Sequence, residues 1–247
     1  MPATIKNHAG IRRFVRGYTR PPEDTWGLGL DLGQRHDHSA FAALEVGWTN
    51  LGRCPTDYSQ LYQPHLILRQ LHRFPLLTSY TAVHENVIHR ISALPCPDGR
   101  SQLAIDAGGP GPAMVERIRG AVPKGCHVRP VIVTGGKGKN TLAGGYTGIP
   151  RASLISRLIL TMSTGAFIAY DNLPNWDLFE EELVSLSGTN SHPQGTEAHD
   201  DLVVAVALAV DLIVATVPEL AVISGSLDAS SDDDSLPPFG FIDKPLF

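Results

Sequence analysis

The residues of this 247-residue chain best suited to chemistry are aspartates in unusual company. Asp31 lies within "LGLDLG" and Asp106 within "LAIDAGG", each an acid in a short apolar run that ends at glycine. Asp200 and Asp201 stand side by side in "EAHDDLVVAVALAV", at the mouth of an almost unbroken apolar stretch. An uncompensated carboxylate in an apolar strand costs roughly several kcal/mol to bury, and neither strand carries an Arg or Lys. Carboxylates from different elements meeting at one sheet edge would supply the hard oxygen ligands that Mg2+ or Mn2+ takes. Each acid also has a plainer use. Asp31 and Asp106 can each close a turn. One of Asp200 and Asp201 can cap a helix whose dipole favours an acid, though a cap explains one acid better than two.

The elements that would position these acids follow from the apolar pattern. Residues 26–34, 38–48 and 65–74 read as three successive strands, with 49–64 as a loop or long hairpin tip. The period then becomes helical: Val83, Val87, Ile91 and Leu94 follow a Ser/Thr cap in 78–94. Beyond it, 101–109 and 127–136 read as strands and 112–122 as a helix with proline near its start. Residues 135–150 form a glycine-rich basic loop, 151–165 a helix, 166–170 a short strand and 176–188 a further helix. The last helix opens at the Asp200–Asp201 pair. Three strands, a helix, then alternating strands and helices predict an α/β domain with a mixed sheet, antiparallel in its first three strands and parallel afterwards. A basic arm over 1–24 would precede this domain at 25–218, and a Ser/Asp-rich, disordered tail would follow over 219–247.

Composition narrows the function. Hydrophobic residues make up 43% and charged residues 18%, as in a globular protein with a sizeable core. A net charge of −5 counts against a strongly cationic nucleic-acid binder, but not against an enzyme with a locally basic groove or cation-neutralised acids. Cys54, Cys96 and Cys126 form no CxxC pair, so neither a disulfide framework nor a thiolate zinc site is expected, and a reducing cytoplasm suits them. The apolar run from Leu202 to Val217 is interrupted by Asp211 and too short for a membrane span.

Taken in order, "GLDLGQRHDHSA", "AIDAGGPGPAMVERI", "IPRASLISRLILTMSTGAF", "FEEELVSLSG" and "HDDLVVAVALAV" resemble the C-terminal nuclease domain of phage terminase large subunits, in the ribonuclease H-like superfamily. The resemblance runs from about residue 26 to 213. It implies a ribonuclease H-like fold and metal ligands at Asp31, Asp106 and Asp201, with Asp200 auxiliary. His199 would orient an acid or touch the scissile phosphate, and Asp37 would be a peripheral acid or a solvated turn residue. Asp31, in mid-sheet, would bridge two Mg2+ or Mn2+ ions about 4 Å apart, which would hydrolyse a DNA phosphodiester. Lys137, Lys139 and Arg151 would hold the phosphate backbone. Double-stranded DNA is the implied substrate, read with little sequence preference. A separate terminase ATPase, a small terminase subunit or a portal would be partners, in the cytoplasm of a bacterial host carrying a phage or prophage.

Two departures qualify the resemblance. The stretch "GGKGKN" lacks the Ser/Thr and the upstream glycine of a phosphate loop, so a nuclease module without its ATPase motor is expected. Val204 stands where relatives often carry a further acid. The competing readings are an actin/sugar-kinase-like ATPase or phosphotransferase, in which "DLGQ" and "DAGGPG" would be phosphate turns, and a non-catalytic packaging subunit. The kinase-like reading gives Asp200 and Asp201 no role. Glu180, Glu181 and Glu182 read as a solvated helix face. His36 and His38 flank Asp37, but no partner motif for zinc accompanies them.

Overall fold

A computed structural model describes residues 25–33, 37–53, 58, 60–95, 100–108, 111–136, 139–170, 172–186, 199–217 and 220, together with two backbone strands at Ala3–Lys6 (β1) and Arg12–Val15 (β2). β1 and β2 pair antiparallel as a separate two-stranded sheet, within the segment expected to be a basic arm. Lys137 and His36 lie outside the described residues, as does most of the expected C-terminal tail.

The main sheet has eight strands. Trp26–Asp31 (β3), Ala40–Arg53 (β4) and Gln60–Arg73 (β5) form an antiparallel meander. Tyr80–Ser92 (α1) then crosses to Ser101–Asp106 (β6), which returns beside β3 in parallel. Gly111–Arg119 (α2) leads to Cys126–Thr134 (β7), parallel to β6. Asn140–Thr141 (β8) and Thr147–Pro150 (β9) extend that edge, and Phe167–Ile168 (β10) closes the other in parallel with β5. The order β10-β5-β4-β3-β6-β7-β9-β8 makes a mixed sheet, antiparallel through β3, β4 and β5 and parallel across β3, β6, β7 and β9.

Helices cover both faces. α1 and α2 pack on one side, where Val83, Val87, Val115 and Ile118 meet Leu28, Leu30, Phe41, Leu103 and Ile105. Arg151–Ser163 (α3), Trp176–Leu186 (α4) and Asp201–Thr216 (α5) belong to the other. α5 is buried from Asp201 to Val214, which is why its sequence is apolar all round rather than striped. Each buried Val, Leu or Ile there contributes about 1.5–3 kcal/mol of hydrophobic burial, so the helix is held firmly where it lies. Among the described residues no helix is long and apolar enough to cross a membrane.

Two segments sharpen the sequence expectation. Residues 49–53 and 60–64, read as a loop or long hairpin tip, form the hairpin, continuing β4 and β5 as a ladder with register shifts between Ala43 and Leu44 and between Asn50 and Gly52. The glycine-rich stretch 135–150 contains β8 and β9, and β9 runs directly into α3 at Pro150.

Candidate active site at the rim of the sheet

The glycines of "WGLGLD" explain how the acids meet. Side chains alternate along a strand, so Leu28 and Leu30 face α1 and α2 while positions 27, 29 and 31 face α5. A methyl group at Gly29 would overlap the carbonyl oxygen of Ala205. One at Gly27 would lie 2.8 Å from the carbonyl oxygen of Ala209. β3 and α5 therefore touch backbone to backbone. Two strand residues advance about 6.6 Å and four helical residues about 6 Å, so the pairing repeats: Gly27 with Ala209, Gly29 with Ala205. One further step brings Asp31 to Asp201.

The sheet supplies the next acid. β3 and β6 pair in parallel from Trp26 with Ser101 to Leu30 with Ile105. The following positions in that register are Asp31 and Asp106, on adjacent strands and the same face. Oδ1 of Asp106 accepts the Gly108 amide at 2.9 Å, closing a local turn, and the Val133 amide at 3.4 Å. The turn role and the rim position thus coexist in one side chain.

The resulting electrostatics are lopsided. Burial holds the Asp31 carboxyl well above the usual carboxylate range, and Asp106, Asp201, Asp37 and Glu182, in falling order, push it the same way. Burial also raises Asp106, against the Gly108 and Val133 amides, and raises Asp201. Arg73, at the end of β5, opposes the rise at Asp201, followed by His199 and His38. Its guanidinium lies 3.6 Å from Asp201 and 3.8 Å from Glu182. His199 Nδ1 is 3.9 Å from Asp201, and its ring packs edge-on to His38 at 5.2 Å. His38 in turn donates from Nδ1 to the Phe74 carbonyl at 2.8 Å, tying the turn after β3 to the end of β5.

Glu182 is the residue that sequence reasoning missed. It is 5% exposed, and its Oε2 accepts the Val203 amide at 3.0 Å. It thereby satisfies one of the free N–H groups at the start of α5 from a neighbouring helix. Burial raises its pKa to about 7, against the Val203 amide and Arg73. Its position was signalled: Phe179, Glu182 and Leu183 fall on one helical face, and all three are buried.

The remaining expected residues separate into two places. Asp200, the N-cap residue of α5, makes no capping hydrogen bond with its side chain and pairs instead with Arg151. Asp37 is exposed beside the rim. Lys139 lies elsewhere: its ammonium is 2.9 Å from Asp211, well along α5, and Arg157 holds the other oxygen of that carboxylate at 2.5 Å.

A divalent cation suits this rim by chemistry. The donors are carboxylates, and Oδ2 of Asp201 and Oε1 of Glu182 are buried with no hydrogen bond, Arg73 reaching them only at 3.6 and 3.8 Å, so both keep acceptor capacity unused. Among the described residues, no three His, Cys, Asp or Glu side chains stand close enough to hold an ion as they lie. Occupancy therefore requires the carboxylates to draw together from their present rotamers.

No model of a known protein family matches the chain, and no curated protein does. Among solved structures, it is similar to the crystal structure of the large terminase nuclease from thermophilic phage G20c, at 21% sequence identity and a TM-score of 0.45, over 77% of this chain and 83% of that one.

Proposed function

We propose that this chain is a metal-dependent endodeoxyribonuclease of the terminase large subunit type, cutting double-stranded DNA during phage DNA packaging. One observation carries the reading: Asp31, Asp106 and Asp201 come from three elements to one rim, where burial disfavours the charge of each and Asp106 and Asp201 repel that of Asp31. A structural ion pair would be balanced. This cluster gains most from an added cation.

Asp31, Asp106 and Asp201 would hold two Mg2+ or Mn2+ ions, with Asp31 between them and Asp200 and Glu182 in support. When bound, the ions supply Lewis acidity toward the phosphodiester and a lowered pKa for the attacking water. The protein orients and neutralises. Glu182 fixes the start of α5, and so Asp201, by holding the Val203 amide. Arg73 offsets acid charge while the site is empty of substrate. His199, beside Asp201, is placed to steady that carboxylate or reach a phosphate oxygen. Arg151, 45% exposed at its side chain, can exchange Asp200 for the DNA backbone. Lys139 is already engaged by Asp211, so backbone binding would fall to Arg151 and to Lys137. A separate terminase ATPase would supply translocation.

Incubation with supercoiled plasmid and Mn2+ or Mg2+ tests the proposal. Nicking and linearisation should vanish with EDTA and in Asp31→Asn. Cleavage that persists in Asp31→Asn, or ATP turnover with no cleavage in Mn2+, would overturn it.

A further inference from the structure

The turn joining β5 to α1 has a shape that the acid cluster does not use. A cleft of about 250 Å³ opens there, with Asp37, Ser39, Pro75, Thr78 and Tyr80 among its walls. Tyr80 is pinned by its hydroxyl, which donates to the Gly33 carbonyl at 3.1 Å just beyond Asp31. Thr78 donates to the Pro75 carbonyl at 2.6 Å, and Ser79 caps α1 by accepting the Ala82 amide at 3.2 Å. Ser39, buried at 7% exposure, also lines the cleft. At the mouth, Leu76 and Leu77 are 44% and 81% exposed. Leu77 has a φ of 64°, a left-handed backbone that bulky L residues rarely adopt and that clusters at functional positions. The chain is thus held in an uncommon conformation that turns a large apolar side chain into solvent.

The lining selects the ligand. Among its described residues Asp37 is the one charged side chain, and an acid there favours a hydrogen-bond donor over a phosphate. Pro75 and the Tyr80 ring offer flat apolar walls, while Ser39 and Asp37 offer hydrogen-bonding groups. A planar uncharged heterocycle suits such a site. Asp37 also acts electrostatically on Asp31 and Asp201, which puts the cleft beside the acid rim.

We propose that this turn is a strand-opening wedge with a nucleobase cleft: Leu76 and Leu77 enter between stacked base pairs next to the cut, and the cleft receives the base they unstack. Asp37 accepts from an exocyclic amino group, so adenine and cytosine are preferred over thymine. The inference rests on the nuclease reading and gives that site its substrate geometry. Apolar wedges that unstack base steps are an established way for proteins to open DNA.

Affinity measurements on the whole chain, in Ca2+ to hold off cleavage, test both parts. Single-stranded oligonucleotides of equal length carrying adenine, cytosine, thymine or no base report on the cleft. Removal of the bases should weaken binding about tenfold, as loss of one stacked base does, and Asp37→Asn should erase the preference over thymine. A paired duplex and the same duplex with a mismatched bubble report on the wedge. Leu77→Gly, which suits a left-handed backbone, should keep the melting temperature. It should weaken binding of the paired duplex roughly tenfold while sparing the bubble, where no unstacking is needed. Equal wild-type affinity for base-bearing and base-free strands, in a protein that still cuts plasmid, would overturn the cleft alone. Loss of binding to both duplexes alike in Leu77→Gly, or to neither, would overturn the wedge. Failure to bind any DNA would overturn the nuclease reading itself.

Discussion

α5 buries two aspartates, and their surroundings differ sharply. Asp211 is 4% exposed and meets two cations, Lys139 at 2.9 Å and Arg157 at 2.5 Å. Asp201, 5% exposed on the same helix, meets Arg73 at 3.6 Å in the company of Asp31, Glu182 and Asp37. One carboxylate is compensated and ties the strand-edge loop and α3 to α5. The other belongs to a group with more negative charge than its neighbours offset. A buried, balanced ion set is explained by architecture alone. A set left unbalanced among the described residues is what the proposed cations would offset.

Breaking the unbalanced end should have the largest effect on activity. Asp31→Asn is expected to lower plasmid cleavage by about a thousandfold or more, given the several kcal/mol that metal chemistry supplies to a transition state. It should also raise the melting temperature measured in EDTA, because one of the mutually repelling acids is gone. A thermal melt beside the cleavage assay checks both.

Gly29→Ala attacks the device that brings the two ends of the comparison into one helix. The new methyl group overlaps the Ala205 carbonyl, backbone against backbone, and should destabilise the fold by about 3 kcal/mol or more. Any protein that remains folded should lose Mn2+ binding by calorimetry, since Asp201 moves away from Asp31.

Asp211→Asn should cost about 2–3 kcal/mol in denaturant unfolding, less than for a wholly buried pair because Lys139 and Arg157 each keep about a third of their side chains in solvent. Its cleavage rate under folding conditions should stay near wild type. A selective loss of cleavage without loss of stability would erase the distinction drawn between the two aspartates.

The smallest effect is a pH slope. Glu182 titrates near 4.5 when unfolded and at about 7 when folded, so between those values the native state binds the extra proton. Stability from this group is therefore present below about pH 4.5 and lost as the pH rises toward 7. Glu182→Gln should remove that part of the slope, and saturating Mg2+ or Mn2+ should flatten it by stabilising the ionised acids. Unfolding midpoints across that range, with and without the ion, provide the readout.

Much of this site was legible in the chain because strand and helix periods are simple. Asp31 and Asp106 stood at the ends of apolar runs, and the order of strands and helices placed both runs side by side in the sheet. Glu182 was misassigned to a solvated face because it sits in a run of three glutamates, where composition masked its spacing from Phe179. Arg73 carried no local signal. It reaches Asp201 only because β5 ends at the same rim as α5 begins, a relation set by the sheet rather than by any stretch of sequence. The far ends of β4 and β5 were open between a loop and a long hairpin tip, because residues 49–53 and 60–64 are polar and turn-rich; the ladder between them continues as a hairpin. β9 was hidden in the same way, with "TGIP" beside glycine-rich neighbours that outweighed its parallel partner β7.

The seating of Ala205 and Ala209 on Gly29 and Gly27 leaves the acid rim little tolerance for small adjustment. A side chain at Gly29 or Gly27 lifts the helix, and a single inserted residue in α5 rotates Asp201 by about 100 degrees away from the strand. The backbone register between the two acids can change only in coarse jumps of a full helical turn against two strand residues, which leaves finer adjustment of the gap to the side-chain rotamers. Change is thus channelled into the turns around the rim, where length and sequence can drift while the backbone positions of the acids stay fixed.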